Sequence, residues 1–309
     1  MRKSQGTLLT FCIVHYKRLP CLKRCIDSIK RYTPVDYNII LLRQGYQGEE
    51  TESYLRLLEK NGNVEVIRTS RNLGCTPGRN LIVPKATTPF IMTLDNDIYV
   101  TQGWLNPVLK IFAEEKDVGV VGFPIYRLDG TLAQIGGTHL KIKNGIIKQE
   151  PVQMPNHITK DFIEVDGVSS GAMVFREEVR NDFRFDTRYF IGFGDIDKDL
   201  QLLNSRWRKV ICLKSKVFHD YAPADFSRYY NFRYNRIEIN RSYAKFKKKW
   251  GLRFPLKKHI EYSFLGVIKY PIEIMYRRIV THYPIMLRKA TKTIKKTQNK
   301  PTTKSGCEN

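Results

Sequence analysis

The 309-residue sequence predicts an α/β fold: a mostly parallel sheet flanked by helices, with a basic amphipathic helical extension at the C-terminus. Three observations carry that expectation. Over the first 125 residues, short apolar runs alternate with stretches of helical periodicity, the pattern of right-handed βαβ units. Hydrophobic residues make up 42 %, enough for a sizeable buried core and too many for a disordered chain. Charge is uneven: residues 1–220 hold 32 Lys and Arg against 25 Asp and Glu, net +7, whereas residues 221–309 hold 21 against 5, net +16 of the total +23.

The elements follow in order. Residues 7–14 read as the first strand. The basic start before them has too short an apolar run, and lacks the small-residue cleavage site, for a signal peptide. Leu22, Ile26 and Ile29 give residues 20–32 helical spacing. Strand 37–42 comes next, then helix 50–59 ended by Asn61-Gly62, and strand 64–68. Pro77 opens a third helix that stops before Pro84, and strands 90–94 and 118–123 complete the series. Asp129-Gly130, Gly136-Gly137 and Asn144-Gly145 mark residues 126–165 as hairpins or extended excursions rather than another βαβ unit. Trp104 reads as core. The chain divides by composition into a body at 1–225, an aromatic and basic helical region at 226–288, and a Lys/Thr-rich disordered tail at 289–309.

Cysteines at 12, 21, 25, 75, 212 and 307 show neither a Cys-x-x-Cys pair nor zinc spacing; several sit in apolar runs as small buried hydrophobes, and a reducing cytosolic compartment is the simplest reading. No run of 18 apolar residues occurs, so a spanning helix is not expected.

The strand at 90–94 runs directly into Asp95-Asn96-Asp97. Ligands of open α/β sheets bind beyond the carboxyl ends of the strands. Two carboxylates one residue apart need a compensating cation or hydrogen bonds; a hard divalent ion shared with phosphates is one solution. An Asp/Asn-rich turn is the other, and these three residues alone leave both open. Asn72-Leu73-Gly74 and Arg79-Asn80 precede the strand and supply an amide and a cation that suit a nucleotide. Downstream come the small-residue loop Ser169-Ser170-Gly171, then Gly194-Asp195-Ile196-Asp197, then His219-Asp220.

In that order and spacing, residues 7–250 resemble a family 2 glycosyltransferase of the GT-A fold. The resemblance implies an inverting enzyme with Mn²⁺ or Mg²⁺ as cofactor and a nucleotide diphosphate sugar as donor. Asp95 would position the donor ribose or sugar, Asp97 and His219 would ligate the metal at the diphosphate, and Asp195 would be the catalytic base. Ser169, Ser170 and Gly171 would face the acceptor. Arg79, Asn72, Tyr16 and Gln44 would contact the donor, Tyr16 by packing on the base and Gln44 by bonding a pyrimidine edge. Asp197 and Asp199 read as a helix N-terminal cluster favoured by the dipole.

Two departures stand out. Gly194 takes the place of the first acid in the family's Glu-Asp pair, and Leu42-Arg43-Gln44 replaces the strand-end Asp that recognises the nucleobase. They motivate a second reading, a catalytically weakened sugar-nucleotide or glycan binding protein.

Residues 226–250 can be drawn as a helix with two apolar stripes. One holds Phe226, Tyr229, Tyr230, Tyr234 and Ile237; the other holds Phe232, Ile239, Tyr243, Phe246 and Trp250. Residues 271–284 repeat the theme. Basic aromatic helices of this kind suit the surface of an anionic membrane, which implies a peripheral place on its cytoplasmic face; stripes that are core or oligomer contacts, with the lysines a solvated face, are the other reading. The acceptor expected there is a lipid-linked or polymeric glycan. Nucleic acid is not expected, because no recognisable binding motif accompanies the charge. Nothing in the sequence speaks to the oligomeric state.

Overall fold

The computed structural model describes residues 6–155, 160–221 and 236–262. Spatial contacts divide the chain into Met1–Pro255 and Leu256–Asn309. In the second unit, the described residues include one helix, Leu256–Glu261.

In the first unit, β1 (Leu9–His15), α1 (Leu19–Tyr32), β2 (Tyr37–Gln44), α2 (Glu49–Glu59), β3 (Val64–Thr69), α3 (Cys75–Ile82) and β4 (Phe90–Asp95) follow the expected alternation. After β5 (Ile98–Val100) comes α4 (Leu105–Glu114), an element the sequence reading does not single out, although Leu105, Val108, Ile111 and Phe112 carry its buried face. Next are β6 (Val118–Gly122) and the hairpins β7 (Ile125–Arg127) with β8 (Leu132–Gln134) and β9 (Gly137–Lys143) with β10 (Ile146–Pro151). The unit continues with β11 (Phe162–Val165), β12 (Gly167–Val168), β13 (Ala172–Arg176), α5 (Gly194–Gln201), β14 (Arg208–Cys212), β15 (Val217–His219) and α6 (Arg236–Trp250).

The main sheet has eight strands in the order β11-β14-β6-β13-β4-β1-β2-β3. Pairs β1–β2, β1–β4, β2–β3 and β6–β14 are parallel, so the α/β expectation of a mostly parallel sheet holds. Strand β13 lies antiparallel between β4 and β6, and β11 antiparallel beside β14, because the chain returns to the sheet from the hairpin excursion. Strand alternation splits the core in two. Leu9, Phe11 and Ile13 of β1 pack with Leu22, Ile26, Leu55 and Phe112 from α1, α2 and α4; Cys12 and Val14 face Ile82, Phe183 and Leu202 on the other side. Trp104 is buried between Phe11 and Phe123.

A smaller sheet, β5-β15-β7-β8, decides where the site forms. Its register sets His219 opposite Ile98, and the Asp220 amide donates to the Asp97 carbonyl at 2.9 Å. Residues far apart in sequence therefore meet at the end of β4.

Of the C-terminal expectations, Phe226, Tyr229, Tyr230, Phe232 and Tyr234, the helix at 271–284 and the tail at 289–309 lie outside the described residues. Within α6, Tyr243 and Phe246 are buried against Phe193 at ring distances of 5.4 and 5.5 Å, while Ile237 is exposed. Among the described residues no helix is long and apolar enough to cross a membrane.

Candidate active site

Each acid at the end of β4 has an arginine of its own. Asp95 Oδ1 accepts from Arg79 Nη2 of α3 at 2.5 Å, and the Asp95 amide donates to the Gly171 carbonyl at 2.8 Å. Burial pulls the Arg79 guanidinium down, but Asp95 foremost, with Asp195 adding to it, outweighs that and holds its pKa above the ordinary value. Asp97 Oδ2 accepts from Arg18 Nη1 at 2.8 Å, and its Oδ1 lies 3.4 Å from His219 Nε2. Arg18 also meets Asp220 Oδ1 at 3.0 Å. All of these side chains except Asp95 are nearly closed to solvent.

Among the described residues no group of three His, Cys, Asp or Glu side chains forms a ready-made metal cage. The pair Asp97–His219 nevertheless fits a two-residue hold on a hard divalent ion. Two ligands about 2.1 Å from one ion stand roughly 3.0–3.4 Å apart at angles between octahedral and tetrahedral. Their oxygen and nitrogen atoms are 3.4 Å apart.

The ends of β1 and β2 form the other side of the cleft. Lys17 and Arg18 both adopt left-handed backbone, φ 61°, uncommon for side-chain-bearing residues and a mark of local constraint. The Lys17 amide donates to Gln47 Oε1 at 2.8 Å, and Asn96 Nδ2 donates to the Lys17 carbonyl at 3.2 Å. Tyr16 is half-buried beneath the Lys17 ammonium. Gln44 Oε1 accepts from the Leu73 amide at 2.8 Å, and Asn72 Oδ1 from the Gly74 amide at 2.8 Å, so both predicted donor contacts also brace the loop before α3. Arg43 brings no free charge to the cleft: it pairs with Glu52 at 2.7 Å and donates to the Thr69 carbonyl. His15 has no exposed surface, and burial foremost pushes its pKa down to about 4, against a hydrogen bond with Gln47 and with Arg43 adding to the fall. Its burial has no signature in the sequence.

The three residues of the predicted acceptor loop are not equivalent. Ser169 is half-buried, and its Oγ accepts from the Gly171 amide at 3.4 Å. Ser170 is fully buried, with Thr93 Oγ1 donating to its carbonyl, so its side chain shapes the loop from within. Gly171 lies against the acid: a Cβ there would stand 3.0 Å from Asp95 Oδ2.

Asp195 is exposed in the first turn of α5, and makes no hydrogen bond or ion pair among the described residues. Gly194 has a steric reason, because a Cβ at that position would overlap Thr76 Oγ1 of α3. The residue before it, Phe193, is left-handed at φ 60°; Tyr243 stacks on it and Phe246 and Phe254 pack at a tilt, so α6 and the residues after it support the turn that presents Asp195.

Asp197 lies in the first turn of α5, as the reading of an N-terminal cluster expects, and both it and Asp199 are buried. Asp197 accepts from Trp250 Nε1 at 2.8 Å and pairs with Lys249 at 2.7 Å, which anchors α6. Asp199 pairs with Lys198 at 2.7 Å; its Oδ1 accepts from the Val168 amide while Lys198 donates to the Val168 carbonyl, clamping the strand before the loop at 169–171. Burial foremost raises the Asp199 carboxyl to about 6, against the pull of Lys198. Sequence reasoning missed these roles of Lys198, Lys249 and Trp250.

Comparison with known proteins identifies the family and the fold. The model of the glycosyl transferase family 2 matches residues 10–183. An uncharacterized glycosyltransferase of Bacillus subtilis, EpsJ, is 26 % identical over 153 residues, 48 % of this chain and 43 % of the relative. A second from the same organism, YwdF, is 30 % identical over 102 residues, 33 % of this chain and 37 % of the relative. The chain therefore spans less than half the length of either. The teichoic acid poly(glycerol phosphate) polymerase of Staphylococcus epidermidis is 27 % identical over 94 residues, 29 % of this chain and 12 % of the relative. Among solved structures, GalNAc-T7 with UDP, GalNAc and Mn²⁺ superimposes with a TM-score of 0.58 at 18 % identity, covering 91 % of this chain and 59 % of that one. S. aureus TarS gives 0.51 at 14 % identity, covering 75 % and 40 %. These two likenesses establish the shared GT-A type fold.

Proposed function

Because the chain belongs to glycosyl transferase family 2, we propose that it moves a sugar from a nucleotide diphosphate donor to a lipid-linked or polymeric glycan acceptor, with inversion at the anomeric carbon. The observation that carries this reading is the convergence of three acids in three different states beyond the carboxyl ends of the parallel strands. Asp95 is held by Arg79, Asp97 is buried beside His219, and Asp195 is exposed and unpaired among the described residues.

Asp95, fixed by Arg79 and the Gly171 carbonyl, positions the donor ribose or sugar. Tyr16, Gln44 and Asn72 line the nucleoside side, and Ser169 with Gly171 borders the acceptor. Asp195 accepts the proton of the acceptor hydroxyl as that oxygen attacks the anomeric carbon from the face opposite the departing diphosphate. Asp97 and His219 would hold Mn²⁺ or Mg²⁺, which when bound supplies charge stabilisation for that leaving group. A relative named as a teichoic acid poly(glycerol phosphate) polymerase supports a polymeric acceptor. The net +16 of residues 221–309 supports work against an anionic cytoplasmic membrane face.

A panel of nucleotide sugars screened by thermal shift with and without Mn²⁺ tests the donor, since a true ligand raises the melting temperature by mass action. No stabilisation by any member overturns the donor assignment. Turnover of the stabilising donor separates an enzyme from a weakened binding protein, the reading that Gly194 motivates. Flotation with anionic vesicles tests the location: the full chain floats, whereas a chain ending at Pro255 stays behind. Equal flotation of the two removes the C-terminal region from the explanation.

A further inference from the structure

Arg18 sits where a cation would be expected to approach Asp97. Its side chain is 7 % exposed, its Nη1 is 2.8 Å from Asp97 Oδ2, and its Nη2 is 3.0 Å from Asp220 Oδ1. Nη1 also donates to the Asp220 carbonyl at 3.0 Å. The backbone that carries it is left-handed, and the preceding carbonyl is pinned by Asn96, so the guanidinium is placed by a constrained turn rather than by a free chain. Asp97 and Asp220 are both buried, and the one guanidinium bridges them.

We propose that Arg18 is a resident counter-cation, bridging Asp97 and Asp220, which weakens the hold of Asp97 and His219 on a free divalent ion. The ion then enters together with a diphosphate, whose negative charge offsets the guanidinium. This rests on the reading of Asp97 and His219 as metal ligands. The physical ground is Coulombic. A fixed positive charge a few ångströms from the ion opposes its entry in a poorly solvated site, whereas a diphosphate between them is attracted by both.

The experiment is titration of the full-length protein with Mn²⁺ alone at pH 7.5, followed by the EPR signal of the free ion, and repeated with inorganic pyrophosphate. The expected result is that Arg18→Gln binds Mn²⁺ alone at least tenfold more tightly than wild type. Arg18→Lys, which keeps the charge, stays within about threefold. Arg24→Gln also stays within about threefold, because Arg24 touches Asp220 at 3.5 Å from an exposed position. If Arg18→Gln is too unstable to titrate, Arg18→Gln combined with Asp220→Asn removes the charge together with a partner and carries the same tenfold expectation.

Unchanged or weaker binding in the Gln variant overturns the proposal, as does equal tightening by Gln and Lys. If that happens while Asp97→Asn still abolishes Mn²⁺ binding with pyrophosphate, the metal reading stands and the counter-cation alone fails. If Asp97→Asn binds as wild type does under both conditions, the metal reading falls and takes the counter-cation with it.

Discussion

The Asp-x-Asp stretches at 95–97 and 195–197 share a spacing, and the fold gives them opposite treatment. At the end of β4 both acids acquire an arginine, Arg79 for Asp95 and Arg18 for Asp97. In the first turn of α5, Asp195 is exposed while Asp197 is buried under Trp250 and Lys249. Two residues along a helix turn about 200°, so one carboxylate faces outward and the next faces inward. At the strand end, the turn that follows keeps both acids in the cleft, and each must be neutralised there. The same spacing thus yields two arginine-paired acids in one place, and one exposed acid plus one anchor in the other.

The largest effect expected from breaking this contrast is at the free acid. Asp195→Asn keeps donor binding and lowers kcat by about 10²–10⁴-fold, the range for a general base. Wild-type turnover in that variant would remove Asp195 from the chemistry. Next is the anchor. Asp197→Ala leaves Trp250 Nε1 and the Lys249 ammonium without their buried acceptor and costs about 3 kcal/mol, a fall of roughly 6–12 °C in melting temperature. A scanning calorimetry trace unchanged from wild type would show that α6 does not depend on this contact. Third, Asp97→Ala lowers Mn²⁺-dependent nucleotide affinity at least tenfold by isothermal titration, with the metal-free affinity little changed. Loss of both affinities alike would mark Asp97 as a structural acid.

The smallest effect concerns Asp199. Its folded-state pKa of about 6 stands above the ordinary 3.8, so the folded protein binds more protons than the unfolded chain between those values. Stability from this group is present at low pH and is lost as pH rises through about 6. The wild type therefore loses about 1 kcal/mol relative to Asp199→Asn between pH 5 and pH 7, measured by urea unfolding. A gap that stays constant, or moves the other way, would show that Lys198 keeps Asp199 ionised throughout.

Much of the frame was legible because its signals are local. Helical spacing at Leu22, Ile26 and Ile29, Pro77 near a helix start, and Asn144-Gly145 between two strands each report on their own neighbourhood. The antiparallel insertion of β13 was not legible, since an apolar strand reads alike in either direction. Of the site, the residue types were visible and their states were not. Arg43 looked like a reversed charge beside the nucleobase, but Glu52 on the following helix neutralises it. Gly194 looked like a lost acid, and the packing of Thr76 shows why no side chain fits there. Lys249 looked like part of a membrane-facing basic run, yet it pairs with Asp186 and Asp197.

The sequence by itself determined the alternation of strands and helices, the delivery of Asp95 and Asp97 to a strand end, and the separation of a basic C-terminal stretch, because periodicity and composition are properties of contiguous residues. Tertiary structure alone decided which carboxylates are paired, buried or free. That depends on contacts such as Arg18 with Asp97 and Asp197 with Trp250, where burial and opposite charge are set by elements dozens of residues away.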